Sequence, residues 1–454
     1  MEVVTIDTPQ LGDRSYLAHD GAVAVAVDPQ RDIDRVLRAA GTAGVEIVAV
    51  AETHLHNDYV SGGRQLAATT GATHLMAGGG EVAFSCMAVG GGEEHHFGGL
   101  RVVAVATPGH TAHHVAYVVD HGEGPAVAFT GGSLLFGTVG RTDLVGEDQT
   151  QSLTRRQYHS VRQLVASLAD DVIVCPTHGF GSFCSSTPPS GDQSSTIGDE
   201  RENNLVFRAG DETSFVKMVL SGLTAYPSYY AHMGPINRAG PAPIDLSRPR
   251  RIDGPELARH LEAGDWVVDL RNRRAFAAGH LPRTVNAEMA TSLSTFLGWV
   301  VPWGTPVVLM SDDPAEVQAA QRDLARIGID RPAGVAVGDP GRLAAGQTET
   351  YAVGDFADLR LAMAHHQGDG ALTVLDVRRD DEWGQGHLEG AVHIHFSDLE
   401  ARMAEVPPGR VWVYCATGYR SAIAASLLAR AGREPVLVDD DWERAEQAGL
   451  PVCR

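Results

Sequence analysis

Short apolar runs recur through the first 240 residues: GAVAVAVD (21–28), VEIVAVAET (45–53), RVVAVATPG (101–109), PAVAFTGG (125–132) and DVIVCPTHG (171–179). They are short and end in glycine, proline, threonine or aspartate, so they read as buried strands. Helix-like segments lie between them. The pattern is that of an α/β sandwich with its loops gathered at one edge. Several of the runs end in residues able to ligate a metal or bind a substrate. Residues 185–201, rich in serine and proline, read as a loop, and NRAGPAPIDLSRPRR (237–251) reads as a linker.

Beyond that linker the pattern repeats itself. VVDLRNRRAFAAGHLP (267–282) matches VLDVRRDDEWGQGHLE (374–389). Asp269, Arg271, Phe276, Gly279 and His280 pair with Asp376, Arg378, Trp383, Gly386 and His387, each 107 residues later. The C-terminal half is therefore expected to be a duplicated α/β domain of roughly 100 residues. Three domains follow: 1–240, 252–347 and 355–454.

The chain has 454 residues and a formal charge of −21. That balance argues against a nucleic-acid binder or a partner of anionic membrane. No basic and apolar leader opens the sequence, and no run of about 18 apolar residues occurs. A cytoplasmic protein is the expectation, with a homo-oligomer left open. Five scattered cysteines do not make a disulfide framework. A single lysine, Lys217, among 36 basic residues reflects coding bias.

VWVYCATGYRSAIAASLLARAG (411–432) reads as strand, tight loop and helix. Cys415 ends the strand and Ser421 begins the helix. Loop N–H groups, the helix dipole and Arg420 all favour a thiolate at Cys415, the reactive form. Gly418, Tyr419 and Ser421 shape the pocket for its substrate. The Cys-x4-Arg spacing, with LDVR and GHLEGAVHI before it, resembles a rhodanese. That resemblance implies a Cys persulfide that passes sulfur to and from sulfite, thiosulfate or a thiol. In the first copy Ser311 replaces the cysteine and Glu316 replaces the arginine, so 252–347 reads as rhodanese-like but catalytically degenerate.

The N-terminal motifs occur in the order VDPQRD (27–32), THLHND (53–58), TPGHT (107–111), FTGG (129–132), GRTDL (140–144) and PTHGFGSFC (176–184). This order resembles the metallo-β-lactamase superfamily, and within it the persulfide dioxygenases that are fused to rhodanese domains. The resemblance implies an αβ/βα sandwich followed by two rhodanese-like α/β domains. It implies metal ligands among His54, His56, His110, Asp58 and His178, and a contact from Arg141 to the thiol substrate. Its iron would be one Fe(II) held by two histidines and a carboxylate. Those histidines correspond to His54 and His110, and the carboxylate's position is Gly132 here. His56, Asp58, Asp143 or water could fill that gap. Tyr59 stands where a second metal would need histidine, so a two-metal hydrolytic centre is not expected. His113 and His114 read as structural.

The expected function is oxidation of a low-molecular-weight thiol persulfide, such as that of glutathione, to sulfite with O2, coupled to sulfur transfer at Cys415. The alternatives are a Zn(II) hydrolase of thioester type with a sulfurtransferase domain, and a metal-free scaffold carrying one sulfurtransferase.

Overall fold

The computed structural model describes residues 1–188, 190–343, 348–365 and 372–454. The end expected for the second domain, at 347, lies outside the described residues. The chain forms two compact units: Met1–Ile244 with Ala325–Gly328, and Asp245–Leu324 with Ile329–Arg454.

In the first unit two six-stranded sheets pack face to face. The first runs Glu2–Thr8, Asp13–His19, Val23–Val27, Glu46–Glu52, Thr73–Ala77 and Met87–Val89 in spatial order. The second runs Ser195–Thr196, Ile173–Pro176, Val127–Gly131, Val115–Asp120, Leu100–Ala106 and Glu94–Phe97. All five quoted apolar runs are strands.

Period-two alternation explains why both faces of the first sheet are buried. Tyr16, Ala18, Val25, Val27, Ala49 and Ala51 point between the sheets, toward Val102, Tyr117, Val119 and Phe129. Leu17, Ala24, Ala26, Ile47 and Val50 point the other way, beneath the helices Asp34–Ala43 and Gly63–Thr70. The helix Glu147–Ser167 covers the outer face of the second sheet through Tyr158, Val161, Leu164 and Val165. Loops after the strands ending at Val27, Glu52, Ala106, Gly131 and Pro176 bring the metal motifs together.

The loop expected over 185–201 ends early. A helix spans Ile197–Asn203, started by a capping box in which the Thr196 hydroxyl accepts from Asp199 N–H and the Asp199 carboxylate accepts from Thr196 N–H. The expected linker also begins too soon. Asn237 belongs to the helix Tyr230–Ala239 and is buried in the first unit.

The second unit holds two parallel sheets with the same core order. One runs Val285–Asn286, Trp266–Asp269, Val307–Ser311, Gly334–Val337. The other runs Val392–His393, Thr373–Asp376, Arg410–Tyr414, Glu434–Val438, with Ala352–Gly354 added at its edge. The repeated residues repeat their contacts as well. Arg271 donates to Asp269 at 2.6 Å and to the Gly279 carbonyl at 2.9 Å, and Arg378 donates to Asp376 at 2.6 Å and to the Gly386 carbonyl at 2.7 Å. His280 stacks on Phe276 and His387 on Trp383. No helix among the described residues is long and apolar enough to cross a membrane.

Candidate metal centre and sulfur-transfer loop

His54, His56, His110 and His178 are all buried at the edge of the sandwich. Each has one ring nitrogen taken. His54 Nδ1 lies 2.8 Å from the Thr53 hydroxyl, and His110 Nδ1 lies 2.7 Å from the Arg141 carbonyl. His56 Nε2 faces the Asp28 carboxylate at 3.2 Å and the Tyr59 hydroxyl at 3.0 Å. His178 Nδ1 faces Asp13 at 2.8 Å and Asp58 at 3.1 Å. The other nitrogens turn inward. His56 Nδ1 and His110 Nε2 are buried with no hydrogen-bond partner, and His54 Nε2 is 3.4 Å from His178 Nε2. Imidazoles tethered from behind and open in front are what a metal requires of its ligands. The donor set therefore fits a metal ion held by imidazole.

The groupings within 4.8 Å are His54 with His56 and His178, His110 with His178 and Cys184, and Asp13 with Asp58 and His178. All three contain His178, so it is more central than the sequence motifs imply. Cys184 stands beside the site, with burial pushing its thiol pKa well up. Burial and the surrounding imidazoles push His54 well below its usual value, and burial leads in lowering His110 to about 3, so both are neutral and able to ligate. Burial opposes a charge on His178, but Asp58 and Asp13 outweigh it and raise that ring.

Tyr59 serves as a support. Its ring stacks on His56 at 4.3 Å, and its hydroxyl bonds the same imidazole. Three supports lie outside the predicted ligand set. Asp28 accepts from Thr53 N–H and the Thr53 hydroxyl, each at 2.7 Å, from the Thr177 hydroxyl, and faces His56, so it ties three motif loops together. Asn237 donates to the His56 and Tyr59 carbonyls, each at 2.8 Å. Gln157 accepts from His110 N–H at 2.6 Å. Asp28 falls within the VDPQRD motif, whereas Asn237 and Gln157 are marked only by burial of a polar residue, which sequence does not reveal. His114 is structural as expected: the Thr107 hydroxyl and Gly132 N–H occupy its two nitrogens.

The gap at Gly132 is filled. A Cβ on Gly132 would stand 2.2 Å from His110 Cδ2 and 2.6 Å from its Nε2. The His110 ring occupies the space where a side chain at 132 would start. Asp143 does not replace the missing carboxylate, because Arg141 holds both its oxygens at 2.7 Å. Gly132→Ala is expected to destabilise the metal-free protein by about 1–3 kcal/mol through overpacking and to displace His110. Thermal melting and metal content check this, and an unchanged melting point contradicts it.

A cavity of about 300 Å³ opens onto His54. Leu55, Met76, Leu144 and Tyr230 are among its walls, with exposed Arg238 as its guanidinium. Arg141, expected to contact the thiol substrate, does not line this cavity. It is 1% exposed. Its guanidinium donates to Asp143 and to the carbonyls of Phe183 and Thr224, and it lies 4.4 Å from the centre of the Tyr226 ring.

In the second unit Cys415 follows the strand Arg410–Tyr414 and is 1% exposed. Its sulfur is 3.4 Å from the Ser421 hydroxyl. Gly418, with φ +87°, starts the helix Tyr419–Arg430. A Cβ there would meet Arg273 and Asp439 at 2.5 Å, so the loop needs glycine. Arg420 pairs with both oxygens of Glu382, at 2.6 and 2.7 Å. Burial alone would raise Glu382, yet the bonds and charge of Arg420 hold it at about 2. The expected substrate contact of Tyr419 is not what its hydroxyl makes: it donates to the Glu288 carbonyl, at 2.7 Å. In the first copy the Ser311 hydroxyl donates to Glu316 at 2.6 Å.

The family described as "Rhodanese-like domain" matches residues 361–448. Persulfide dioxygenase ETHE1, mitochondrial, from Homo sapiens is 28% identical over 39% of this chain, which spans 65% of that protein's length. Hydroxyacylglutathione hydrolase from Acidiphilium cryptum is 31% identical over 38% of the chain and 67% of that protein. A crystal structure of metallo-beta-lactamase from Staphylococcus aureus superposes with TM-score 0.66 and 24% identity, covering 75% of this chain and 99% of that one, and shows the fold. The chain has the metallo-β-lactamase fold with a rhodanese-like domain toward its C-terminus, and its N-terminal part is similar both to persulfide dioxygenases and to hydroxyacylglutathione hydrolases.

Proposed function

We propose that the N-terminal domain oxidises the outer sulfur of a low-molecular-weight thiol persulfide to sulfite with O2, and that Cys415 carries sulfane sulfur. The observation that carries the first part is the group of four buried imidazoles, bonded on one side and open on the other, beneath a cavity. His54, His56, His110 and His178 would hold the metal, and Fe(II) would supply oxygen activation there. The residues of the chain do the rest. Leu55, Met76 and Leu144 receive the body of the thiol and exclude water, and Arg238 offers its charge to a carboxylate on it.

At the second site the Cys415 thiolate attacks the sulfane sulfur of thiosulfate, and sulfite leaves with the electrons of the broken S–S bond. A thiol or sulfite then takes the sulfur from the Cys persulfide. Glu382 fixes the Arg420 guanidinium beside the loop. The two sites share persulfide and sulfite, which gives the fusion a chemical reason. We read 252–347 as the degenerate partner copy, since Ser311 has no thiol and its hydroxyl donates to the Glu316 carboxylate.

A zinc thioester hydrolase is the second reading, favoured by one observation: with glycine at 132 the inner ligand atoms are imidazole nitrogens, a set that suits Zn(II). Oxygen uptake with a persulfide, measured beside the metal content of protein purified without added metal, tests both. Iron with oxygen consumed in step with sulfite is the expected result. A full complement of zinc and no oxygen uptake contradicts the dioxygenase.

A further inference from the structure

The carboxylate missing at Gly132 has a counterpart on the far side of the same site. Asp13 opens the strand Asp13–His19 and is 1% exposed. Its Oδ1 lies 2.8 Å from His178 Nδ1, and Asp58 Oδ2 lies 3.1 Å from the same nitrogen. Asp13 Oδ2 and Asp58 Oδ1 are buried without hydrogen-bond partners. Two carboxyl groups thus grip one imidazole from behind. The grip aims His178 Nε2 at His54 Nε2, 3.4 Å away, and His56 completes a group within 4.8 Å.

We propose that Asp13 and Asp58 clamp His178 so that its Nε2 becomes the metal ligand that replaces the carboxylate absent at Gly132. The inference rests on the metal-binding part of the proposed function, and neither on the identity of the metal nor on the reaction. Neutral imidazoles alone leave a buried dication uncompensated. Carboxylates hydrogen-bonded to the far side of a ligating imidazole restore negative charge, raise the basicity of the ring and fix its orientation. Asp13 is then a positioning residue, acting through His178. A second metal held by Asp13, Asp58 and His178 is the competing arrangement, and it would have to take the nitrogen both carboxylates already grip.

The test uses the full chain loaded with Co(II), as wild type, Asp13→Asn and His178→Gln. Affinity is measured by competition with a chelator, and the visible ligand-field spectrum is recorded. Both variants are expected to lose about 10–100-fold in affinity. His178→Gln should also change the spectrum, because a ligand has changed. Melting of the metal-free proteins separates these effects from misfolding, and if Asp13→Asn does not fold, the His178→Gln spectrum decides. Unchanged affinity and spectrum overturn the proposal. So does a wild type that takes up two equivalents of Co(II) of which Asp13→Asn loses one, since Asp13 would then be a ligand. Tight Co(II) binding by the wild type, with no oxygen uptake by the iron-loaded protein, would count against the dioxygenase alone.

Discussion

Cys415→Ser is expected to abolish sulfur transfer from thiosulfate to a thiol, by about 10³-fold or more, while leaving persulfide-dependent oxygen uptake intact. The exchange is nearly isosteric, so the loop set by Gly418 and the Arg420–Glu382 pair should survive. What is lost is chemical. A serine hydroxyl is not ionised near neutral pH, and it cannot hold a sulfane sulfur as a persulfide. The molecule carries its own version of the change at Ser311, whose hydroxyl is bonded to Glu316. A sulfurtransferase assay beside an oxygen electrode reads both activities. Transfer that persists in the variant contradicts the assignment of Cys415.

His54→Ala is expected to do the reverse, removing the metal and cutting oxygen uptake about 10²-fold or more while sparing transfer at Cys415. His54 packs against each of the other three rings. Its ring centre lies 4.2 Å from that of His56, 4.8 Å from that of His110 and 5.4 Å from that of His178. Truncation removes one inward nitrogen and leaves the other rings facing a void. Melting of the metal-free protein, compared with that of wild type, separates lost ligation from lost packing. A variant with unchanged metal content and both activities intact would favour the scaffold reading, in which the first unit carries no metal.

Much of this protein was legible in local pattern. Apolar runs of strand length marked the sandwich, because burial on both faces of a sheet leaves few polar positions within a strand. The 107-residue repeat marked two sheets of like order, because each Asp, Arg and His in it makes a short-range contact that the paired copy also makes. The Cys-x4-Arg loop and the histidine motifs were visible because their geometry lies within a few residues. The helix Ile197–Asn203 carries its capping box within a stretch whose serines and prolines otherwise favour a loop.

The amino-acid sequence by itself pointed to the sandwich, to the C-terminal rhodanese-like domain, and to Cys415 and the histidines as candidates for chemistry. Tertiary structure alone decided how the ligands are used. Asp13 meets His178 across 165 residues, and Asn237 meets the His56 carbonyl across 181. Arg141, expected at the substrate, donates to carbonyls at positions 183 and 224. Gly132 showed as an absence in the sequence, and only the fold shows that the His110 ring occupies its space. The reason is physical: a buried polar atom takes whichever partner the packed chain brings within about 3 Å, and sequence spacing does not encode that choice.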